Sequence, residues 1–515
     1  MRLVVILSIA RVRLIPSMRD GTRNDTHMIH SVRTSSAWLA LAGCIGCSAP
    51  SAGGAAVAGG GRDAGPDAPP TTVQAPNADA IIGMEVSPIP LVPPFSPSVF
   101  DYYVQCASGA NAVALTITDS STDTHTTSLT LVEDQEASVA GQYWIRCLPH
   151  DFPAITVTAY GEARSPTPGW YLVNNGAYAI ALDTRGTPVW YSRGVSPGNV
   201  DVLSADTLSF MPNMQGPFGY LPDNQFTVSA LSQGTTTAVM AVNSPTDGHE
   251  FRALPNGDHL VWTYPVEHGM DLTGLQSFGP GETIADCQIQ EISPSGALVW
   301  SWLASDHVDA VRESVEPAMQ TVNGTALVDV FHFNSIDVDI LGNLLLSARH
   351  ANAVYYVDRT TGGVLWKLGG TPYNKDGATI VTVVDDPEGA FNMQHDARFM
   401  PNGDVTLFDD HGASPGVARG VEYAIDFDDG TATPTFQFLG VGQSQYEGSF
   451  RRYADGESVV GWGYVPTDPR VVTEVDAAGQ PVLDIAFSGG RPSYRAVKVP
   501  LGQLDAGLLR AATAR

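Results

Sequence analysis

The chain is short of cysteine, of positive charge and of any sustained helical period, and each shortage removes a class of function. Five cysteines in 515 residues are too few for a dense disulfide scaffold, and the Cys-x-x-Cys at Cys44 and Cys47 has neither a second pair nor histidines at zinc-finger spacing. Lysine and arginine number 27 against 54 acidic residues, a formal net charge of −27, so the surface repels nucleic acid and anionic lipid headgroups; DNA or RNA is not an expected partner. The same field repels a small anionic substrate, so a site for one must carry its own cationic pocket. After Gly169 no apolar period of 3.6 persists, which leaves short strand runs between turn residues. The hydrophobic fraction of 43% is ample for a packed core.

What is present divides by composition. In residues 1–47, Arg33, the apolar Ala37 to Ala42 and then Leu41-Ala42-Gly43-Cys44 match the segments of a signal peptide ending in a lipobox, with Cys44 as the lipidation site. Met28 is a more natural start for this leader than Met1, and the apolar Met1 to Ile15 is an alternative leader. Both imply export to the periplasm or cell envelope, with membrane contact only through a lipid anchor. Residues 48–79 are almost all Ala, Gly, Pro, Ser, Thr and Asp and read as a disordered tether. Residues 80–164 hold β-branched and aromatic runs such as Ala112 to Ile117 and Tyr143 to Arg146, the pattern of a small β-sandwich-like module. Cys106 and Cys147 flank it as a candidate disulfide, with two free buried thiols as the alternative.

Residues 165–500 repeat, and 501–515 remain as a C-terminal tail. His249 stands eight residues before Gly257, Asn334 eight before Gly342, His395 eight before Gly403 and Gly448 eight before Gly456. Each glycine ends a turn that leads into a second strand. A second unit places Trp four residues after Gly: Gly186 to Trp190, Gly296 to Trp300, Gly362 to Trp366. Two hairpins per repeat make a four-stranded blade, so the expected fold is all-β: a roughly six-bladed β-propeller behind the N-terminal module. An open β-solenoid is the alternative. The blades begin near Gly169, His249, Asn334, His395 and Gly448, with a fainter one between Val200 and Val242. The tryptophans belong to blade cores.

In a propeller the starts of the first strands surround the central channel, so His249, Asn334 and His395 converge. His332 lies two residues before Asn334 and is expected on the same side of an extended chain. Arg349 ends the following strand. Three imidazoles, an amide and a guanidinium at a channel mouth form a cationic pocket suited to an oxyanion. Carboxylates at equivalent positions, which carbohydrate cleavage would need, are not apparent; Asp396 is expected on the opposite face from His395 in a structural role. His350 and His411 follow strand ends and are expected to face solvent.

At these residues the chain resembles a family. Phe331-His332-Phe333-Asn334-Ser335-Ile336-Asp337, Leu346-Ser347-Ala348-Arg349-His350, Gln394-His395-Asp396-Ala397-Arg398 and Phe408-Asp409 are similar to the motifs of the bacterial arylsulfotransferases, PAPS-independent periplasmic enzymes with a six-bladed propeller. The resemblance implies a small-molecule aryl sulfate donor, a phenolic acceptor, no cofactor and no metal, with a homodimer as a candidate assembly. It assigns His395 as the histidine that is transiently sulfurylated, His332 and His249 as proton carriers, and Asn334 and Arg349 as ligands of the sulfuryl oxygens. Asp396 after His395, and His411 before Gly412, depart from the family pattern and bear on substrate choice. Two rivals remain: a non-catalytic cell-surface propeller that binds an anionic glycan or protein, and a quinone-dependent oxidoreductase, which would need more blades and a calcium site.

Overall fold

A computed structural model describes residues 71–74, 81–161, 165–216, 223–322 and 324–513; Cys44 and the leader lie outside them. Strand Ala110–Asp119 alternates buried and more exposed residues, the period-two signature of a sheet with one face on a core. With Ile81–Ser87 and Thr124–Val132 it makes a three-stranded sheet. A second sheet, with the order Thr71–Val73, Glu136–Val139, Tyr143–Leu148 and Asp101–Gln105, shares its apolar cluster, where Met84, Leu115 and Ile117 meet Tyr102, Val139 and Ile145. Cys106 and Cys147 are bonded, with Cα atoms 5.5 Å apart.

Three segments differ from the sequence expectation. Thr71–Val73, inside the expected tether, pairs in parallel with Glu136–Val139; its β-branched residues escape the Ala/Gly/Pro bias upstream. Ile155–Ala159, inside the expected N-terminal module, instead adds a fifth strand to Pro481–Phe487. The expected tail folds as helix Ala506–Thr513, which buries Leu509 beside Trp170 and Val189.

The rest is a succession of antiparallel four-strand meanders, at 198–239, 246–303, 333–369, 395–439 and 449–487, plus a sheet in which Gly169–Asn175 pairs with Val497–Pro500. The first sheet therefore takes its innermost strand from the C-terminal end, not from Gly169. Strand Thr379–Val383 runs parallel to the outer strands of two meanders and joins them into one nine-stranded sheet. The innermost strands, Gly198–Ser204, Thr246–Ala253, Phe333–Val338, His395–Phe399 and Ser449–Arg452, touch in succession, and Val497–Pro500 touches Gly198–Ser204. Gly257, Gly342, Gly403 and Gly456 all take left-handed φ, from 86° to 93°, so the repeated hairpin turn requires glycine.

Large apolar residues fill the gaps between sheets. Trp262 and Phe333 stack with centroids 5.2 Å apart, both fully buried, and burying such side chains contributes about 1.5–3 kcal/mol each. An inserted sheet of Val266–Asp271, Pro280–Ala285, Thr325–Asp329 and Ala318–Val322 leads directly into His332. Among the described residues, no helix is long and apolar enough to cross a membrane.

Candidate active site

The inner strands are irregular where the chemistry-bearing residues sit. Register shifts interrupt the pairing of Thr246–Ala253, Phe333–Val338 and His395–Phe399 with their neighbours. Bulges of this kind bend a strand and re-aim its side chains. His249 and His332 meet edge to face with ring centroids 4.9 Å apart, and His332 and His350 lie 4.8 Å apart. His395 lies close enough for the charges of Arg349, His332 and His249 to act on it. Arg349 points one nitrogen at His350 Nε2 (3.1 Å) and donates another to the Gln445 carbonyl (3.0 Å).

Each expected catalytic imidazole rests its Nδ1 on a carboxylate: His249 on Asp247 (2.7 Å), His332 on Asp329 (2.6 Å) and His395 on Asp410 (2.6 Å). Sequence reasoning missed these three acids. The only signal for them was proximity, Asp247 two before His249 and Asp329 three before His332; Asp410 follows directly on the neighbouring strand of the hairpin, Val405–Asp409.

Four expectations are corrected. His332 is not extended: its φ is +49° and the strand starts at Phe333, so period-two alternation does not relate it to Asn334. The Asn334 side chain turns to the Gln394 carbonyl (2.7 Å), just before His395, and its buried Oδ1 has no partner among the described residues. His350 and His411 are buried, not solvent-facing. His350 donates towards the Asp329 carbonyl (3.0 Å), and His411 sits 3.1 Å from Asp409. Finally, Glu250 and Asp396 are equivalent-position carboxylates, each directly after a site histidine, but both are locked on guanidiniums.

The family model described as Arylsulfotransferase (ASST) matches residues 224–488, just over half of the chain and nearly all of the strands that build the site. The chain belongs to the arylsulfotransferase family. It is an enzyme of that type. No curated protein matches the sequence. Similar solved structures include a protein of unknown function from Bacteroides caccae (12% identity, TM-score 0.38, covering 64% of this chain and 99% of that one). Others are a streptogramin B lyase (10%, TM-score 0.30, 65% and 98%) and the Dos1 propeller (11%, TM-score 0.31, 80% and 92%). The described residues of the chain are nearly all-β.

The electrostatics of this arylsulfotransferase hold His395, His332 and His350 below the usual histidine range. Burial, then the Arg349, His332 and His249 charges, push His395 well below the usual histidine range. Burial, then His249 and Arg349, do the same to His332. His350 is pushed down to about 3, by burial first. Burial raises Asp410, Asp329 and Asp247, each of which lies against an imidazole Nδ1. A proton held on Nδ1 leaves a lone pair on Nε2, the form in which imidazole is a nucleophile or base. Ligand atoms of Asp329, His332 and His350 also lie within 4.8 Å of one another. They are committed to hydrogen bonds among themselves, and the Arg349 cation on His350 opposes a dication there.

Proposed function

We propose that this arylsulfotransferase moves a sulfuryl group from an aryl sulfate ester to a phenol through a sulfohistidine on His395. The observation that carries the reading is the gathering of His249, His332 and His395 around Arg349, each imidazole with Nδ1 against a carboxylate. His395 Nε2 attacks sulfur; the N–S bond forms as the S–O(aryl) bond breaks, and the phenolate leaves with the Nε2 proton of His332 or His249, which takes up at Nδ1 the carboxyl proton of Asp329 or Asp247 in its place. In the second half the same base removes the proton of the incoming phenol, whose oxygen takes the sulfuryl group and returns His395 to its neutral form. Arg349 neutralises the equatorial oxygens, the task that dominates in the analogous phosphoryl transfer.

The succession of four-stranded meanders supports a six-bladed propeller, and the two sheets around one core before it support a separate β-sandwich-like module. An oxidising compartment suits the Cys106–Cys147 bond, which favours export with Cys44 as a lipid anchor.

The test is release of 4-nitrophenol from 4-nitrophenyl sulfate by the purified chain, with and without a phenol acceptor. Wild type is expected to show acceptor-dependent release, and His395→Ala none, with a 35S label retained on wild type after acid-free quenching. Equal release from His395→Ala would overturn the covalent step; no release from wild type across a panel of aryl sulfates would overturn the substrate class.

A further inference from the structure

Three residues beyond the site positions, the inner strands carry a second layer of opposite character. His249, Asn334, His395 and Gly448 are equivalent in the repeat, and three positions on stand Arg252, Asp337, Arg398 and Arg451. All four line one cavity of about 200 Å³, joined by Arg452 and Tyr453. At about 3.3 Å per residue the cavity lies roughly 10 Å along the strands from the imidazoles. Glu250 and Asp396, both buried, hold the cavity arginines Arg398 and Arg451 on one side and the buried Arg495 on the other, and Arg495 donates on to the Asn334 carbonyl; no histidine lines the cavity. Arg252, one of its lining residues, has a side chain that is 29% exposed.

Asp337 is the one carboxylate among the described residues that line it, and it is already taken by Arg252 Nη2 (3.1 Å) and the Phe399 amide (2.9 Å). The other nearby acids are engaged behind the wall: Glu250 with Arg398 (2.6 Å), Asp396 with Arg451 (2.7 Å) and Glu422 with Arg452 (3.2 Å). Arg452 Nη1 is buried with no partner among the described residues. The Tyr453 hydroxyl is spent on the Lys498 carbonyl. Of the four guanidiniums in this concavity, each already paired with a carboxylate, Arg452 keeps one donor withdrawn from water and unmatched among the described residues.

We propose that this cavity is a second anion site, taking a small tetrahedral oxyanion of the sulfate type. Guanidinium forks match the paired oxygens of such an ion, and the volume admits it while leaving no room for a nucleotide or an oligosaccharide. The site binds independently of the imidazoles, because none of them lines it.

Calorimetric titration of the full chain with inorganic sulfate, at low ionic strength, tests the proposal. Arg349→Met disables anion binding at the histidines and is expected to retain one saturable sulfate site. In that background Arg452→Met and, separately, Arg252→Gln are expected to weaken binding by about tenfold or more, with unfolding curves confirming that each variant folds. In the wild-type background the same two changes should leave aryl sulfate turnover intact. Two results overturn the proposal: loss of all sulfate binding with Arg349→Met alone, or undiminished affinity in both arginine variants. Failure of aryl sulfate turnover, by contrast, bears on the catalytic reading and leaves this one standing.

Discussion

At the residue scale the site depends on how each imidazole is held. Asp410 meets His395 Nδ1 at 2.6 Å with both side chains buried. It fixes the ring and the tautomer that presents Nε2, and it offsets the charge that builds on the ring as the N–S bond forms. Asp410→Asn keeps the shape but reverses the hydrogen bond, so turnover is expected to fall about 10²- to 10⁴-fold with little change in KM. Steady-state kinetics with 4-nitrophenyl sulfate would check it, and a loss below threefold would remove Asp410 from the mechanism. The depressed pKa of His395 sets the acid limb: neutral imidazole persists as pH falls below 6.5, and kcat/KM drops only lower, as pH passes the folded value. His249 and His395 were legible because the repeat gives them equivalent positions; His332 was found through its nearness to Asn334, although the alternation used to aim it does not hold there. Their carboxylate partners were not, because Asp410 faces His395 across a hairpin and Asp329 enters from an inserted sheet, relations that no local spacing encodes.

At the scale of elements, the connection 444–447 shows how a short segment completes the site. Gln445 gives its carbonyl to Arg349, the Ser444 amide donates to the Asp410 carbonyl, and Glu447 follows in a left-handed conformation, φ +68°, just before the strand Ser449–Arg452. Glu447 Oε2 is buried with no partner among the described residues, and burial pushes the carboxyl up to about 8. A folded pKa above the unfolded value makes a contribution that is fully present below the unfolded pKa, near 4.5, and is lost as pH rises to about 8. Glu447→Gln cannot ionise, so relative to wild type it is expected to gain about 2–4 kcal/mol between pH 5 and pH 9. Urea unfolding at those two pH values reads the difference; parallel behaviour of the two proteins would mean that Glu447 is hydrated and ordinary. The turn glycines and second strands of each meander were plain in the sequence, since period two and Pro-Asn-Gly are local signals. The bulges that aim His249 and His395 were not, because a bulge is a mismatch between two strands and neither strand records it alone.

At the scale of the whole molecule, both ends of the repeat region are held by distant segments, which is why boundaries drawn from composition moved. Val497–Pro500 supplies the innermost strand of the first sheet, and Ile155–Ala159 caps the last. The helix Ala506–Thr513 then reaches the N-terminal sheets: Arg510 pairs with both oxygens of Asp101, at 2.9 and 2.7 Å, and lies 4.0 Å over the Trp144 ring. Burial alone would raise Asp101, but Arg510 and Arg146 outweigh it and hold the carboxyl below its ordinary value. The stabilisation from this carboxylate is therefore present above about pH 4 and lost as pH falls through the lower folded value. Arg510→Met keeps much of the stem and removes the charge, while Arg146 still faces Asp101 at 3.1 Å. The expected cost is about 1–3 kcal/mol, less than for a buried pair stripped of its only partner. Because the contact joins the helix to strand Asp101–Gln105 and touches nothing in the catalytic site, faster amide exchange should appear in that strand and in 506–513 while aryl sulfate turnover is unchanged. Unchanged exchange in both segments would show that the apolar seat of Leu509 beside Trp170 holds the helix without help from the ion pair.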